Sequence, residues 1–333
     1  MDLIHLWVVL VGLAIILYVV LDGFSLGVAI LFPGARTEAE RDVMMDSIAP
    51  VWDVNQTWIV FGGGALFATF PKIYTILFSA LYIPLLTFLF GLIFRGVAFE
   101  FRANAGPGRK PIWDRAFFWG SLTAAFAQGL TLGAYISGVR VENGMFAGGA
   151  FDWLNPFSIM VGLALVFGYM LLGSTFLIIK TTGTVQQQAY RQAFVSLLVV
   201  AGFMVLVSIW TPFQSPEIVN RWFSQPRIYF VWVFPILGMV AFFGVEWGLK
   251  TKREWTPFLA SLVFFISAYL GLQSGIYPMA VPPDLTVFEA AAQRQTQLFT
   301  LFGVCIVLPV VIGYTIYSYW VFRGKVVEGE AYH

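Results

Sequence analysis

The feature that most constrains this chain is a succession of long apolar runs with almost no charge inside them. A membrane-crossing helix needs about 20 mainly apolar residues. Such runs lie at roughly 3–31, 55–70, 73–94, 113–137, 157–179, 192–211, 228–249, 257–277 and 296–322. Nine runs predict an all-α, polytopic membrane protein in which residues 1–333 form a single integral membrane domain. The run 55–70 is short, and Pro71-Lys72 leaves only a tight turn before the next one. Within it, Gly62-Gly63-Gly64-Ala65 reads as a surface for close helix packing.

Composition closes off other classes. Only 11% of the 333 residues are charged and 59% are hydrophobic, against about 25% charged in a soluble domain. That balance also excludes disorder. A net charge of +1 gives no basic footprint, so no nucleic-acid partner is expected. The single cysteine, Cys305, sits in an apolar run and supplies neither a disulfide nor a metal framework. Met1-Asp2 is acidic and no small-residue cleavage pattern follows the first run, so the first helix is expected to stay in the mature protein.

Lys and Arg concentrate in cytoplasmic segments of membrane proteins. Fourteen of the 19 here fall after the first, third, fifth, seventh and ninth runs. The other side holds Lys72, Arg140, Arg221, Arg227 and Arg294. The bias predicts an outward N-terminus and a cytoplasmic C-terminus. No connecting segment is long enough for a domain, the largest being roughly 18–20 residues around 138–156 and 278–295. Thr37-Glu38-Ala39-Glu40 reads as a capping box opening a short cytoplasmic helix that Pro50 closes. Thr286-Val287-Phe288-Glu289 opens either a surface helix or an extension of the last run. Pro84, Pro235 and Pro309 are expected to kink their helices.

The residues that could carry chemistry are few. A b-type haem needs axial ligands, usually histidine, and the two histidines, His5 and His333, lie at opposite ends of the chain. They cannot jointly ligate one centre, so no metal or haem is expected in this chain. His5 reads as an interfacial polar residue, the nine methionines as core filling, and the tryptophans near run ends as an interfacial belt. Gln128 and Gln273 read as interhelical hydrogen-bonding groups, and Glu246 as a surface partner of Lys250.

Ionisable residues at membrane depth are the opposite case, because they are costly to keep there. Asp22 lies inside the first run, Asp53 opens the second, and Arg95 and Glu100 close the third. All four fall at the basic-rich ends of runs adjacent in sequence, with Ser25, Asn55 and Gln56 able to join by hydrogen bonds. Two readings stand. In one, Asp22 pairs with Arg95 as interhelical glue while Asp53 and Glu100 are solvated end residues. In the other, the group forms the cytoplasmic mouth of a proton path.

Certain segments resemble a family. Asp22-Gly23-Phe24 with Leu26-Gly27, then Ser47-Ile48-Ala49-Pro50-Val51-Trp52-Asp53 with Asn55-Gln56, is similar to subunit II of cytochrome bd-type quinol oxidases. The likeness continues through Gly63-Gly64-Ala65-Leu66-Phe67-Ala68, Phe94-Arg95, Leu154-Asn155-Pro156-Phe157, Tyr277-Pro278, Leu308-Pro309 and Tyr319-Trp320. The first hundred residues carry its specific part. The resemblance implies a nine-helix fold of two four-helix bundles plus a peripheral helix. It implies a complex in the bacterial cytoplasmic (inner) membrane that oxidises quinol and reduces oxygen to water. Its two b-type haems and one d-type haem lie in subunit I, the implied partner. Small single-span subunits, membrane lipid and, in some members, a quinone held in this subunit complete the implied partners.

By the same resemblance, Asp22, Asp53, Arg95 and Glu100 match residues of a cytoplasmic proton-uptake path. Ser25 stands where many members have a second aspartate, Glu100 where aspartate is commoner, and Phe288-Glu289 where a Trp-Asp pair is found. Ser25 can join a water chain but cannot titrate. The rival reading is a proton-coupled secondary transporter, with acids binding substrate or proton near mid-membrane; a third is an assembly scaffold whose acids are structural.

Overall fold

A computed structural model describes residues 2–106, 108–214, 216–225 and 227–326. Met1, His333 and the side chains of Arg221 and Arg227, used above, lie outside the described residues. In chain order the helices are α1 (Leu3–Leu31), α2 (Glu38–Ile48), α3 (Trp52–Thr69), α4 (Pro71–Ala80), α5 (Tyr82–Ala103), α6 (Lys110–Ser137) and α7 (Pro156–Lys180). There follow α8 (Gly183–Trp210), α9 (Pro216–Phe223), α10 (Arg227–Val231), α11 (Val233–Lys250), α12 (Trp255–Ile276), α13 (Val287–Ala290) and α14 (Arg294–Val321). Among the described residues, seven helices are long and apolar enough to cross a membrane, and the bent pair α3–α4 makes an eighth. The 28-residue α6 is equally long, but Lys110, Asp114 and Arg115 and its Ser, Thr and Gln residues dilute its apolar character.

Two of the expected runs divide differently. The path bends by 119° between α3 and α4, where Phe70 leaves the helical region and Pro71 takes the first position of α4, which needs no N–H donor. The run 73–94 is then broken again at Leu81, so the third long helix is 82–103 rather than 73–94. This moves Arg95 from a helix end to eight residues inside one. The expected kinks at Pro84 and Pro235 are also corrected. Each is the third residue of its helix, in the first turn where proline is tolerated, whereas Pro309 does lie within α14.

Glycines set how closely the helices approach. Gly23 and Gly27, four apart on α1, face α7; a Cβ on Gly27 would lie 1.7 Å from the Tyr169 carbonyl oxygen, and one on Gly173 2.4 Å from the Gly27 carbonyl carbon. Backbone meets backbone there, as small residues at spacing four permit. On α3, Gly62 approaches Ala14 of α1, but Gly63 and Gly64 face open space. The expected packing surface is thus half internal to the chain. Around α1 stand α3, α6 and α7; α5 packs on α6, α8 and α12 on α7, α11 on both α8 and α12, and α14 on α3.

At the end opposite the basic-rich one, two small antiparallel hairpins cover the helices. One, Val141–Glu142 with Met145–Phe146, turns at Asn143-Gly144, where both residues have positive φ. The other pairs Met279–Val281 with Leu285–Thr286. It leads into α13, whose capping box between Thr286 and Glu289 is complete. Extended residues then separate α13 from α14, so this segment is a surface helix and not an extension of the last run. Thr37 caps α2 by accepting from the Glu40 N–H at 3.1 Å.

Candidate functional site

The buried polar residues gather where α1, α3 and α5 approach at their basic-rich halves. Tyr18, Asp22 and Ser25 share one face of α1, being three and four apart. Arg95 of α5 donates through Nη1 to Asp22 Oδ1 at 2.9 Å and through Nη2 to Oδ2 at 3.0 Å. Both side chains are fully buried. The fork-to-fork geometry fixes distance and angle together. Removing either partner from such a pair strands a charge in a medium that cannot solvate it. Asn55 of α3 donates to the Leu21 carbonyl at 2.8 Å and, at 3.3 Å, to Ser25 Oγ. The Tyr319 hydroxyl of α14 donates to Asn55 Oδ1 at 2.8 Å. Close by, Tyr169, whose ring packs on Gly23, donates to Gln128 Oε1 at 2.8 Å.

A layer of aromatic rings separates this set from the basic-rich surface. Trp52 stacks on Phe99 at 4.9 Å with 6° between the planes, and lies 5.9 Å from the Arg95 guanidinium. Phe99 meets Phe117 edge-on at 5.0 Å, and Phe117 meets Phe32 at 5.1 Å. Outside the rings is a second charged set. Arg102, nearly buried and 5.4 Å over the Phe32 ring, donates to Asp114 at 2.6 Å and to Asp42 at 2.5 Å. Lys110 donates to Glu38 at 2.5 Å, and that bond, with Asp42 beside it, raises the Lys110 pKa. The Arg36 N–H donates to the Glu40 carboxylate at 2.6 Å and holds its pKa below the usual range. Asp46 is pushed up, first by burial and then by Asp42.

The five candidate residues therefore divide. Asp22, Arg95 and, through Asn55, Ser25 are brought together inside the chain. Asp53 and Glu100 are exposed on it, and among the described residues neither carboxylate makes a hydrogen bond or ion pair. Asp53 begins an outward stripe of α3 that continues through Val60, Gly64 and Phe67; Glu100 ends one on α5 through Phe90, Ile93 and Val97. Glu246 does bond Lys250, at 2.7 Å. Gln128 does bond across helices as expected, but its partner Tyr169 and the roles of Tyr319 and Trp52 escape a reading of the sequence, because the partners lie 41 or more residues away.

Among the described residues the donor set does not suit a haem or metal. His5 shares a 2.8 Å hydrogen bond with the Tyr277 hydroxyl at the far end from Asp22, and among the described residues no three His, Cys, Asp or Glu side chains come together as a metal site.

Comparison with known proteins gives one answer. The family model for cytochrome bd terminal oxidase subunit II matches residues 3–322. Cytochrome bd-I ubiquinol oxidase subunit 2 of Escherichia coli (strain K12) is 29% identical, over 98% of this chain and 95% of that one. Cytochrome bd ubiquinol oxidase subunit 2 of Bacillus subtilis (strain 168) is 30% identical, over 98% and 97%. Among solved structures, the bd oxidase from Geobacillus thermodenitrificans shares the fold with a TM-score of 0.81 at 18% identity, covering 97% of this chain and 99% of that one. On these matches the chain belongs to the cytochrome bd terminal oxidase subunit II family and is a membrane subunit of an oxidoreductase complex.

Proposed function

We propose that this chain is the haem-free subunit of a quinol-oxidising, oxygen-reducing bd-type complex, supporting a haem-bearing subunit I and taking up protons from the cytoplasm. In this reading the nine helices of 18 or more residues each cross the bacterial cytoplasmic membrane. They stand as two bundles, α1, α3, α5, α6 and α7, α8, α11, α12, with α14 peripheral. The basic-rich end is cytoplasmic and the N-terminus lies outside. The haems, two b-type and one d-type, belong to subunit I, in keeping with a donor set here that fits no haem.

One observation carries the proton role. Asp53 and Glu100 sit at the same end of two outward stripes that are otherwise apolar. Carboxylates so placed are costly against lipid and make sense against a hydrated partner surface. They are the proposed collecting groups. Asp22 and Arg95, with Ser25 and Asn55, form the fixed charged set behind them. The transporter reading is disfavoured, because Asp22 has both oxygens engaged by Arg95 and is not free to bind substrate or a transported proton.

The test is Asp53→Asn in the assembled complex. Oxygen reduction is expected to slow by about tenfold or more, as loss of a positioned proton-transfer group does, with haem bands near normal. Unchanged turnover with full haem content refutes the proton role, and lost haem bands assign Asp53 to assembly instead.

A further inference from the structure

A groove runs between α5 and α6 at the basic-rich half of the molecule, with a volume of about 430 Å³. Its floor is the crossing of Gly91 and Gly120, where a Cβ on Gly91 would fall 2.6 Å from the Gly120 carbonyl oxygen. The two backbones thus touch, and among the described residues nothing fills the trough above them. Phe90 and Phe94 wall one side and Trp119 the other, each more than half exposed. Among the described residues the one charged side chain lining this groove is Arg115, exposed and without an ion pair or hydrogen bond.

The surroundings of Arg115 narrow the occupant. Lys110 and Asp114, on the same helix, face α2 and are engaged by Glu38 and Arg102. The next residue, turned about 100° further round the helix, brings its cation to the groove instead. Trp119 follows one turn deeper, the order in which a headgroup-level cation and an interfacial indole occur at a membrane boundary. From Arg115 to Thr123 the trough runs about 12 Å along the helix. Its chemistry is an apolar channel ending in a cation at headgroup depth. A transmembrane helix, about 10 Å across, would bridge over the trough rather than enter it. A single hydrocarbon chain enters it.

We propose that this groove binds an anionic phospholipid, one acyl chain lying over Gly91 and Gly120 and the phosphate paired with Arg115. Basic pockets between helices at a membrane face hold anionic headgroups in this manner. The site shares no titratable residue with the proton-uptake reading, although Phe90 borders both the groove and the outward stripe that Glu100 ends.

The experiment places the native complex in nanodiscs containing phosphatidylglycerol or phosphatidylcholine with a photoreactive group at mid-chain, at equal mole fraction, and maps labelled peptides by mass spectrometry. Phosphatidylglycerol is expected to label the 82–103 and 110–137 segments about fivefold more than phosphatidylcholine, the ratio that one interfacial cation confers. Arg115→Gln is expected to erase that preference and Arg115→Lys to keep it. Equal labelling by the two lipids, or a preference that survives in Arg115→Gln, overturns the proposal. So does an absence of label on both segments, and so does displacement of the label by a short-chain quinone, which would make the groove a quinone site.

Discussion

Helices α7 and α14 are nearly the same length and both are strongly apolar, yet they meet opposite fates. In the most apolar stretch of α7, 72% of residues are buried within the chain; in that of α14, 6% are. The difference lies in small residues. Gly162, Gly168 and Gly173 of α7 each face a neighbouring side chain or backbone closer than a Cβ would allow, whereas Gly303 and Gly313 of α14 face open space. Lipid chains are as apolar as leucine, so hydrophobicity does not draw one membrane helix to another; close fit does. An apolar helix without such fit is left for the bilayer or for another subunit.

The contrast can be broken by changing that fit. Gly173→Leu forces a side chain into the backbone of α1 and is expected to abolish accumulation of the folded chain, while Gly313→Leu leaves it intact; immunoblots of membranes read both. If the two behave alike, close packing is not what separates these helices. The next effect concerns the charged pair that the α1–α7 contact helps to place. Arg95→Gln leaves Asp22 buried without its partner and is expected to cost about 3–5 kcal/mol, seen as a lower thermal midpoint in detergent. The double change Asp22→Asn with Arg95→Gln should recover part of the loss.

For α14, whose polar tie to α3 runs through Tyr319 and Asn55, Tyr319→Phe is expected to cost about 1 kcal/mol, a small midpoint shift. The smallest effects are at the basic-rich surface. Asp46, its pKa raised by burial, is least favourable when ionised, so Asp46→Asn is expected to raise the midpoint slightly at neutral pH. Glu40, held low by the Arg36 N–H, contributes stability above the ordinary carboxylate range that fades as pH falls through its depressed pKa. A thermal midpoint measured against pH in Glu40→Gln should lack that acid slope.

The same contrast explains what could be read from the sequence. Most of the apolar runs announced long helices, because length and hydropathy are local; among the described residues seven are long and apolar enough to cross a membrane, with the bent α3–α4 pair an eighth. The break at Leu81 was not legible: Phe78 to Leu85 is apolar apart from Ser79, and no Gly or polar turn marks the point where Leu81 leaves the helical region. Asp22, Arg95, Ser25 and Asn55 stood out because polar groups at such depth need a reason to be there. Whether Asp53 joined them was not legible, since one residue along a helix turns a side chain by about 100°. Trp52 faces the pair while Asp53 faces away. Tyr319 entered only through the family resemblance, and nothing in the sequence named Asn55 as its partner. Partners separated by 264 residues leave no periodic trace.

Just beyond α14, residues 322–326 form a clasp. Lys180, at the foot of α7, donates to the carbonyls of Phe322 and Gly324, the Val326 N–H donates back to the Lys180 carbonyl at 2.7 Å, and Lys325 bonds Glu254 in the loop before α12. A rod anchored at its foot and packed chiefly against α3 has few contacts along its length to hold its tilt, and the clasp means that, whichever way it leans, it pivots about a fixed point.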